Sequence, residues 1–207
     1  MIWITTEWIK YLQQGTFCLN KGADCTMALG QERYYTYQDW LDLELEESAR
    51  AELIDGHIYM MSAPSTRHQS VAWAMAAQLS AFLKGKRCRG FFSPFAVRLS
   101  EDTVVQPDIV VICDPGKLTP SGCKGAPDLV VEILSPSTSR HDKRTKYNLY
   151  KQSNVPEYWL VDPSDNTVTA YRLTDKGYVP TIYDDTDMAT VDALPGFEMD
   201  LAAVFEE

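Results

Sequence analysis

The sequence lacks any long apolar segment, which argues against a membrane-spanning helix. No apolar run reaches the roughly 18 residues that such a helix requires. The first fifteen residues also interleave Thr, Glu, Lys and Gln among the apolar side chains. We therefore expect a cytoplasmic protein with no signal peptide and no membrane partner.

Cysteine is scarce and scattered. The five cysteines are odd in number and none of them forms a Cys-x-x-Cys spacing. This pattern predicts reduced thiols and indicates neither a disulfide framework nor a zinc knuckle. The residues are Cys18, Cys25, Cys88, Cys113 and Cys123.

Basic residues are in deficit, with 19 Lys and Arg against 29 Asp and Glu and a net charge of −10. This balance opposes nonspecific adhesion to nucleic acid, so a polyanionic partner requires a local basic patch. Two basic clusters are present, one within Lys84–Arg89 and one within Arg140–Lys151. Such clusters also occur as ordinary solvated surface, and both interpretations stay open.

Apolar and aromatic residues are abundant enough for a sizeable core. They make up 45% and 11% of the 207 residues, a length that suits one domain. We expect residues 1–26 to be an N-terminal extension, either an appended helix or a mis-assigned start. Residues 27–207 are expected to form the domain itself.

The order of apolar patterns predicts an α+β fold whose sheet is crossed by helices. The runs IVVI and LVVEIL are typical of strands that are covered on both faces in the middle of a sheet. Expected helices are 37–45, 67–83 and 141–152. Expected strands are 51–55, 57–61, 92–99, 106–113, 129–134, 157–161, 167–173 and 178–182.

Two acids within these apolar strands predict a functional site. Glu132 lies inside LVVEIL, and Asp108 stands at the head of IVVI, directly after Pro107. Because an ionised carboxylate is costly to bury alone, each acid requires a metal ion, a cationic partner or a raised pKa. We expect the two to be neighbours across the sheet, where they would form an oxygen-rich site suited to magnesium or manganese.

Three further residues are candidates for the same site. Lys146 follows Asp142 by one helical turn, so it either reaches back toward Glu132 or forms an exposed surface pair with Asp142. Glu52 is either a metal or water ligand or a solvated glutamate on an edge strand. His68, in the first turn of the long helix, is either a ligand or proton shuttle or a packing residue.

Several segments, taken in order, resemble the Uma-two family of bacterial restriction-endonuclease-like proteins, within the PD-(D/E)XK nuclease superfamily. The resemblance runs from about residue 27 to the C-terminus. It implies a restriction-endonuclease-like core with a mixed central sheet flanked by helices. The segments are ELIDGHIYMM, QPDIVV, PDLVVEILSPSTS, the D-x-x-x-K at 142–146, VPEYWLVDP and LPGFEMDLAAVF.

The resemblance assigns roles to the acids of the site. Asp108 corresponds to the aspartate of the PD element, and Glu132 to the acid of the second half-motif. The lysine usual two residues later is absent, because Leu134 stands there. The family pattern implies that its role has moved to Lys146.

The rest of the implied site consists of metal ligands and two motif positions. The carbonyl of Ile133 would complete a shell formed by Asp108, Glu132 and Glu52. Glu52 and His68 both fall on family motif positions. The implied cofactor is Mg²⁺, for which Mn²⁺ can substitute.

The implied function is that of a metal-dependent endodeoxyribonuclease that hydrolyses phosphodiester bonds. Its substrate would be DNA and its assembly a homodimer. No base-reading module is recognisable, which suits either a structure-specific nuclease or one that an unidentified protein recruits. Two alternatives stay open. One is a catalytically inactive, dimeric nucleic-acid-binding or scaffold protein of the same fold, and the other is a hydrolase of a different phosphodiester.

Overall fold

The computed structural model describes residues 33–45, 49–135 and 139–206, and in the helix that begins at Ser139 it describes side chains from Arg144 onward. A compact unit begins at Tyr35 and continues to the C-terminus. The expected boundary between residues 26 and 27 lies outside the described residues, as do Cys18 and Cys25.

Four α-helices and fourteen strands make up the described part of the chain. The helices are α1 (Tyr37–Leu41), α2 (Thr66–Leu83), α3 (Ser139–Gln152) and α4 (Leu201–Phe205). The strands are β1 (Arg50–Ile54), β2 (His57–Met61), β3 (Arg89–Phe92), β4 (Val97–Arg98), β5 (Val104–Val105), β6 (Ile109–Ile112), β7 (Leu118–Thr119), β8 (Gly122–Lys124), β9 (Leu129–Ile133), β10 (Glu157–Asp162), β11 (Thr167–Thr174), β12 (Gly177–Tyr183), β13 (Met188–Thr190) and β14 (Glu198–Asp200).

The central sheet has six strands in the order β12-β11-β10-β9-β6-β3. It is mixed, because β9 and β10 run parallel whereas the other neighbours are antiparallel. Its inner strands β6 and β9 are buried along their whole length, as the runs IVVI and LVVEI predict. The predicted α+β class with a mixed central sheet flanked by helices is therefore confirmed.

Alternation along β9 sends its side chains into two separate cores. Val131 and Ile133 pack with α2, whose apolar residues recur at helical spacing, including Val71 and Met75. Val130 lies in the second core, which α3 supplies with its own apolar residues. The sheet is thus covered by a helix on each face, and Glu132 belongs to the α3 face.

A second six-stranded sheet, in the order β2-β1-β5-β4-β8-β7, stands beside the central one. It begins with the predicted hairpin of β1 and β2, whose turn residues Asp55 and Gly56 have φ values of 48° and 77°. Such positive values suit an Asp-Gly turn between paired strands. The sequence pattern predicted only one sheet, because the short strands β4, β5, β7 and β8 carry too few residues to show alternation.

Proline divides two segments that the pattern predicted as continuous strands. The expected strand 92–99 is wrong, since β3 ends at Phe92, before Pro94, and β4 begins only at Val97. The expected strand 106–113 is likewise wrong at its start, since Pro107 separates β5 from β6. Proline lacks the amide proton that a sheet requires, so both ladders stop there.

One disulfide contradicts the expectation of reduced thiols. Cys88 and Cys113 are bonded, at positions that follow directly from the β3–β6 pairing of Arg89 with Ile112. The spacing of 25 residues along the chain does not reveal this antiparallel register. Cys123 is free and buried, and its burial raises its pKa to about 11.

None of the helices in the described ranges is both long enough and apolar enough to cross a bilayer.

Candidate active site

All five predicted catalytic side chains line one cavity of about 240 Å³. It lies where β1, the first turn of α2, the start of β6, the end of β9 and the middle of α3 meet. Ile133 also lines the cavity. The residues brought together are Glu52, His68, Asp108, Glu132 and Lys146.

The antiparallel register of β6 and β9 places Asp108 beside the end of β9. Ile109 pairs with Val131, so the preceding Asp108 reaches the next residues of β9. Its Oδ2 accepts a hydrogen bond of 2.7 Å from the backbone N–H of Ile133. The prediction that Asp108 and Glu132 lie close together across the sheet is therefore confirmed.

Glu132 is held by two side chains of α3. Lys146 Nζ donates to Glu132 Oε1 at 2.9 Å, and Tyr150 Oη donates to the same oxygen at 2.6 Å. Lys146 and Tyr150 lie one turn apart on the helix, so both face the sheet. Lys146 is only 5% exposed, which makes the alternative of an exposed surface pair wrong.

Glu52 forms the opposite side of the same charge cluster. Its Oε1 accepts hydrogen bonds from the backbone N–H of Gln106 at 2.8 Å and from Lys146 Nζ at 3.2 Å. The side chain is buried, so the alternative of a solvated edge glutamate is wrong. One ammonium group thus lies between two buried carboxylates that are 80 positions apart in sequence.

His68 enters the site from the first turn of α2. Ser65 caps the helix by accepting from the His68 backbone N–H, and His68 Nε2 lies 3.2 Å from Asp108 Oδ2. Burial by itself lowers the pKa of His68. The hydrogen bond and charge of Asp108, the charge of Glu132 and the backbone of Ile133 outweigh it and raise this pKa above 6.5.

Burial dominates the titration of Glu132. It raises the pKa of this carboxyl to about 8, with the charges of Asp108 and Glu52 acting in the same direction. Lys146 and the hydrogen bond from Tyr150 oppose the rise. A carboxyl group that titrates near neutral pH in a cavity is a recurring property of functional sites.

The chemistry of the donor set fits a hard divalent cation. Asp108, Glu132 and Glu52 use one carboxylate oxygen each in the contacts above, and their second oxygens accept no hydrogen bond from a described residue. Carboxylate and carbonyl oxygens are the ligands that magnesium prefers. In the described residues, however, no three His, Cys, Asp or Glu side chains are grouped closely enough to hold a metal ion.

Two basic side chains contact these carboxylates. Lys146 lies between Glu52 and Glu132, and His68 lies against Asp108. Both neutralise carboxylates that a metal ion would otherwise bind. Metal binding by Asp108, Glu132, Glu52 and the Ile133 carbonyl therefore stays a prediction.

Two features of the site were not predicted as functional. Tyr150 is a direct partner of Glu132, and helical spacing from Lys146 was the signal that could have identified it. Arg50 lines the cavity and donates from Nη1 to Ser93 Oγ at 2.8 Å. No sequence signal links Arg50 to Ser93, because they meet only through the packing of the two sheets.

The two predicted basic clusters differ in how far their side chains are exposed to solvent. Lys84, Lys86, Arg87 and Arg89 are all exposed. In the second cluster Arg144 and Lys151 are exposed, but Lys146 is buried in the site. The side chains of residues 140 and 143 lie outside the described ones.

Comparison with solved structures shows the fold. A crystal structure from Anabaena variabilis ATCC 29413, described as a putative nuclease belonging to DUF820, superposes with a TM-score of 0.69. The match covers 82% of this chain and 97% of that one at 22% sequence identity. The two proteins therefore share a fold.

Comparison of sequences shows the family. Two uncharacterized proteins of Synechocystis sp. (strain ATCC 27184 / PCC 6803 / Kazusa) are similar to this chain. One is 28% identical over 142 residues, 68% of this chain and 75% of its own length. The other is 24% identical over 150 residues, 70% of this chain and 85% of its own length. Residues 36–202 match the family Uma2, described as "Putative restriction endonuclease". The chain, whose Glu52, Asp108, Glu132 and Lys146 meet in one cavity, therefore belongs to the Uma2 family.

Proposed function

We propose that this protein is a magnesium-dependent endodeoxyribonuclease that hydrolyses phosphodiester bonds in the Glu132 cavity. The observation that carries the proposal is the meeting of three carboxylates and one lysine in one cavity, with Glu52, Glu132 and Lys146 buried and Asp108 partly buried. Replacing buried ion pairs with apolar residues is often neutral or stabilising, so such a cluster is poorly explained by stability alone. Family membership and the nuclease-like fold support the same assignment.

In this proposal Asp108, Glu132 and the Ile133 carbonyl hold the cation, with Glu52 as a further ligand. The bound ion would acidify a water molecule and stabilise negative charge at the phosphate. The hydrogen bond from Ile133 N–H orients the Asp108 carboxylate, and that from Tyr150 orients Glu132. These contacts keep the carboxylates in place before substrate arrives.

Lys146 and His68 would perform the remaining steps. The ammonium group of Lys146, already among carboxylates, would orient the attacking water and stabilise charge that develops on the phosphate. His68, whose pKa lies above 6.5, would exchange a proton at Nε2, the atom that faces Asp108. Both roles depend on exposure to the cavity, which both residues line.

The test combines manganese calorimetry with cleavage of supercoiled plasmid in magnesium. We expect Asp108→Asn and Glu132→Gln each to abolish cleavage and to weaken manganese binding. Glu157→Gln is the matched control, since Glu157 is a buried glutamate on β10 whose partners, Trp159, Ala193 and Arg172, all lie outside the cavity. This control should keep both properties.

Two other outcomes would favour the alternatives. Nucleic-acid binding without metal binding or cleavage would favour an inactive binding or scaffold protein, an option consistent with the position of Lys146 between Glu52 and Glu132. Metal-dependent turnover of bis-p-nitrophenyl phosphate without cleavage of DNA would favour a hydrolase of another phosphodiester, an option consistent with the net charge of −10.

The proposed assembly is a homodimer that acts in the cytoplasm on DNA, with an unidentified recruiting protein supplying specificity. A dimer would place two copies of the cavity on one duplex, which suits cleavage of both strands. Sedimentation velocity of the purified chain tests the stoichiometry. A single monomeric species at all concentrations would contradict the dimer and leave the assignment of the site intact.

A further inference from the structure

A second, larger concavity runs along the outer side of α2 and the edge strand β3. It is an open groove of about 810 Å³. Its floor consists of small and apolar side chains, among them Ala76, Ala77 and Ile109. We call it the α2–β3 groove. Within the described ranges, β3 is the last strand of the central sheet, so no described strand pairs with its outer edge.

The groove begins where the active-site cavity ends. Phe92 in its wall pairs with Ile109, the residue after Asp108, and the next residue, Ser93, donates its N–H to the Asp108 carbonyl at 3.1 Å. On the helix, Gln69 lines the cavity and Trp73, one turn later, lines the groove. A chain lying in the groove would therefore lead directly to the proposed metal ligands.

The charge of the groove is opposite to that of the whole protein. Its described wall contains Lys84, Lys86 and Arg89 and no acidic residue, although the chain carries a net charge of −10. None of these three side chains forms an ion pair with a described residue. Lys86 instead lies over the ring of Phe82, 2.8 Å from its centroid. The groove thus offers uncompensated positive charge to a polyanion.

Two aromatic rings that line the groove, one from α2 and one from β3, are largely open to solvent. The side chains of Trp73 and Phe92 are 78% and 70% exposed. Exposed rings beside basic groups are the combination with which proteins bind single-stranded nucleic acid, because every unpaired base can stack on a ring. Bases within a duplex are already stacked on one another and are not available for such contacts.

We infer that the α2–β3 groove binds a single-stranded DNA segment and guides it to the active-site cavity. The preferred substrates would then be single strands, or duplexes with an unpaired segment. This inference rests on the proposed nuclease function and deepens it by naming the form of the substrate. Trp73 and Phe92 would stack on bases, while Lys84, Lys86 and Arg89 would contact phosphates.

Charge argues against a second copy of the chain as the occupant. Two copies that met groove to groove would bring together two sets of three basic residues with no acidic partner in either wall. Like charges placed opposite each other disfavour such an interface. Phosphate groups, in contrast, satisfy the same residues.

The test measures DNA binding by fluorescence anisotropy in EDTA, so that neither metal nor cleavage is required. We expect the full chain to bind labelled oligothymidine roughly 10-fold or more tightly than a blunt duplex of equal length. Trp73→Ala and Phe92→Ala should each weaken binding of the single strand by roughly 10-fold. The control is Ile182→Ala, on edge strand β12, where the side chain is 71% exposed and should not matter.

Equal affinity for both DNA forms, or unchanged binding by both aromatic variants, would overturn the inference. So would a dimer that Trp73→Ala dissociates without an effect on oligothymidine, because the groove would then be a protein interface. Plasmid cleavage assayed in parallel separates the two proposals. Cleavage without single-strand binding contradicts only the groove, whereas groove-dependent binding without cleavage of any DNA supports the groove and contradicts the nuclease.

Discussion

Lys146 is the residue on which the charge balance of the site depends. Its ammonium group contacts Glu132 and Glu52 at 2.9 and 3.2 Å, and all three side chains are buried. Removal of one member of such a cluster leaves the others as uncompensated buried charges. The same residue is assigned a catalytic role in the proposed reaction.

We therefore predict opposite effects of Lys146→Ala on metal binding and on catalysis. Plasmid cleavage should fall by at least about 100-fold, because the proposed electrostatic stabilisation is lost. Stability without metal should fall by about 3 kcal/mol, as measured by urea denaturation. Manganese affinity measured by calorimetry should be kept or increased, since a competing cation is gone.

The control for this variant is Lys151→Ala, an exposed lysine on the same helix. It should leave all three quantities unchanged. If Lys146→Ala lost metal affinity as well as activity, the lysine would be required to assemble the site, and a purely catalytic role would be excluded.

Glu132 and His68 make the stability of the metal-free protein depend on pH. Both have raised pKa values in the folded state, about 8 for Glu132 against an ordinary value of 4.5, and above 6.5 for His68. The folded state therefore holds their protons more tightly than the unfolded state does. Their stabilising contribution is complete below the ordinary values and is lost as pH rises through the folded-state values.

In EDTA we expect the unfolding free energy of the wild type to fall relative to that of Glu132→Gln between about pH 4.5 and pH 8. The slope from Glu132 is at most about 1.4 kcal/mol per pH unit. Urea denaturation at several pH values measures it. A difference between the two proteins that stayed constant with pH would show that Glu132 titrates normally.

At the scale of elements, the start of α2 positions His68. The Ser65 side chain accepts a hydrogen bond from the His68 backbone N–H at 3.2 Å and so caps the helix. An N-cap serine satisfies an amide that has no partner within the helix. The orientation of the first turn, and hence of the His68 ring toward Asp108, depends on it.

We predict that Ser65→Ala lowers the unfolding free energy by about 1 kcal/mol and reduces cleavage several-fold through displacement of His68. Thermal denaturation and plasmid cleavage measure the two effects. The matched control is Ser70→Ala, an exposed serine within the same helix that should change neither. Loss of stability with full activity would mean that His68 does not need the cap.

The strand interruptions also shape the site. Pro107 ends the ladder of β5 and leaves Asp108 at the start of β6, where its carboxylate can reach the end of β9. Pro94 likewise ends β3 near Ser93, which contacts Arg50 in the cavity wall.

At the scale of the whole molecule, net charge and local charge have opposite signs. With a total of −10, long-range repulsion should oppose DNA, and only the three basic groups of the α2–β3 groove should contact phosphates. Each contact with a single strand releases about 0.7 counterion. Binding should therefore depend on salt only moderately.

We predict a slope of about −2 for the logarithm of oligothymidine affinity against the logarithm of salt concentration. Lys86→Ser should make the slope shallower by about 0.7, because one phosphate contact is lost. Anisotropy titrations in EDTA across a series of salt concentrations measure both. A slope near zero would contradict phosphate contacts by the groove.

The sequence by itself determined much of the fold and the two central acids of the site. Helical spacing from Val71 to Leu79 predicted α2, and continuous apolar runs predicted the buried strands β6 and β9. The cost of a lone buried carboxylate identified Asp108 and Glu132 as a pair. These inferences succeed because periodicity and burial cost are local properties of the chain.

Only the tertiary structure decided the remaining contacts of the site. It placed Lys146 between Glu52 and Glu132, and so excluded the exposed alternatives for Lys146 and Glu52. Local spacing cannot choose between these alternatives, because a lysine or a glutamate at such a position is compatible with solvent as well as with a buried partner.

The tertiary structure also decided the disulfide and the groove. Cys88 and Cys113 meet because β3 and β6 pair in one particular register, and Trp73 and Phe92 line one groove because α2 packs beside β3. Such pairings depend on how whole elements dock, which is determined by the sum of many weak contacts. The spacing of residues along the sequence therefore cannot predict these pairings.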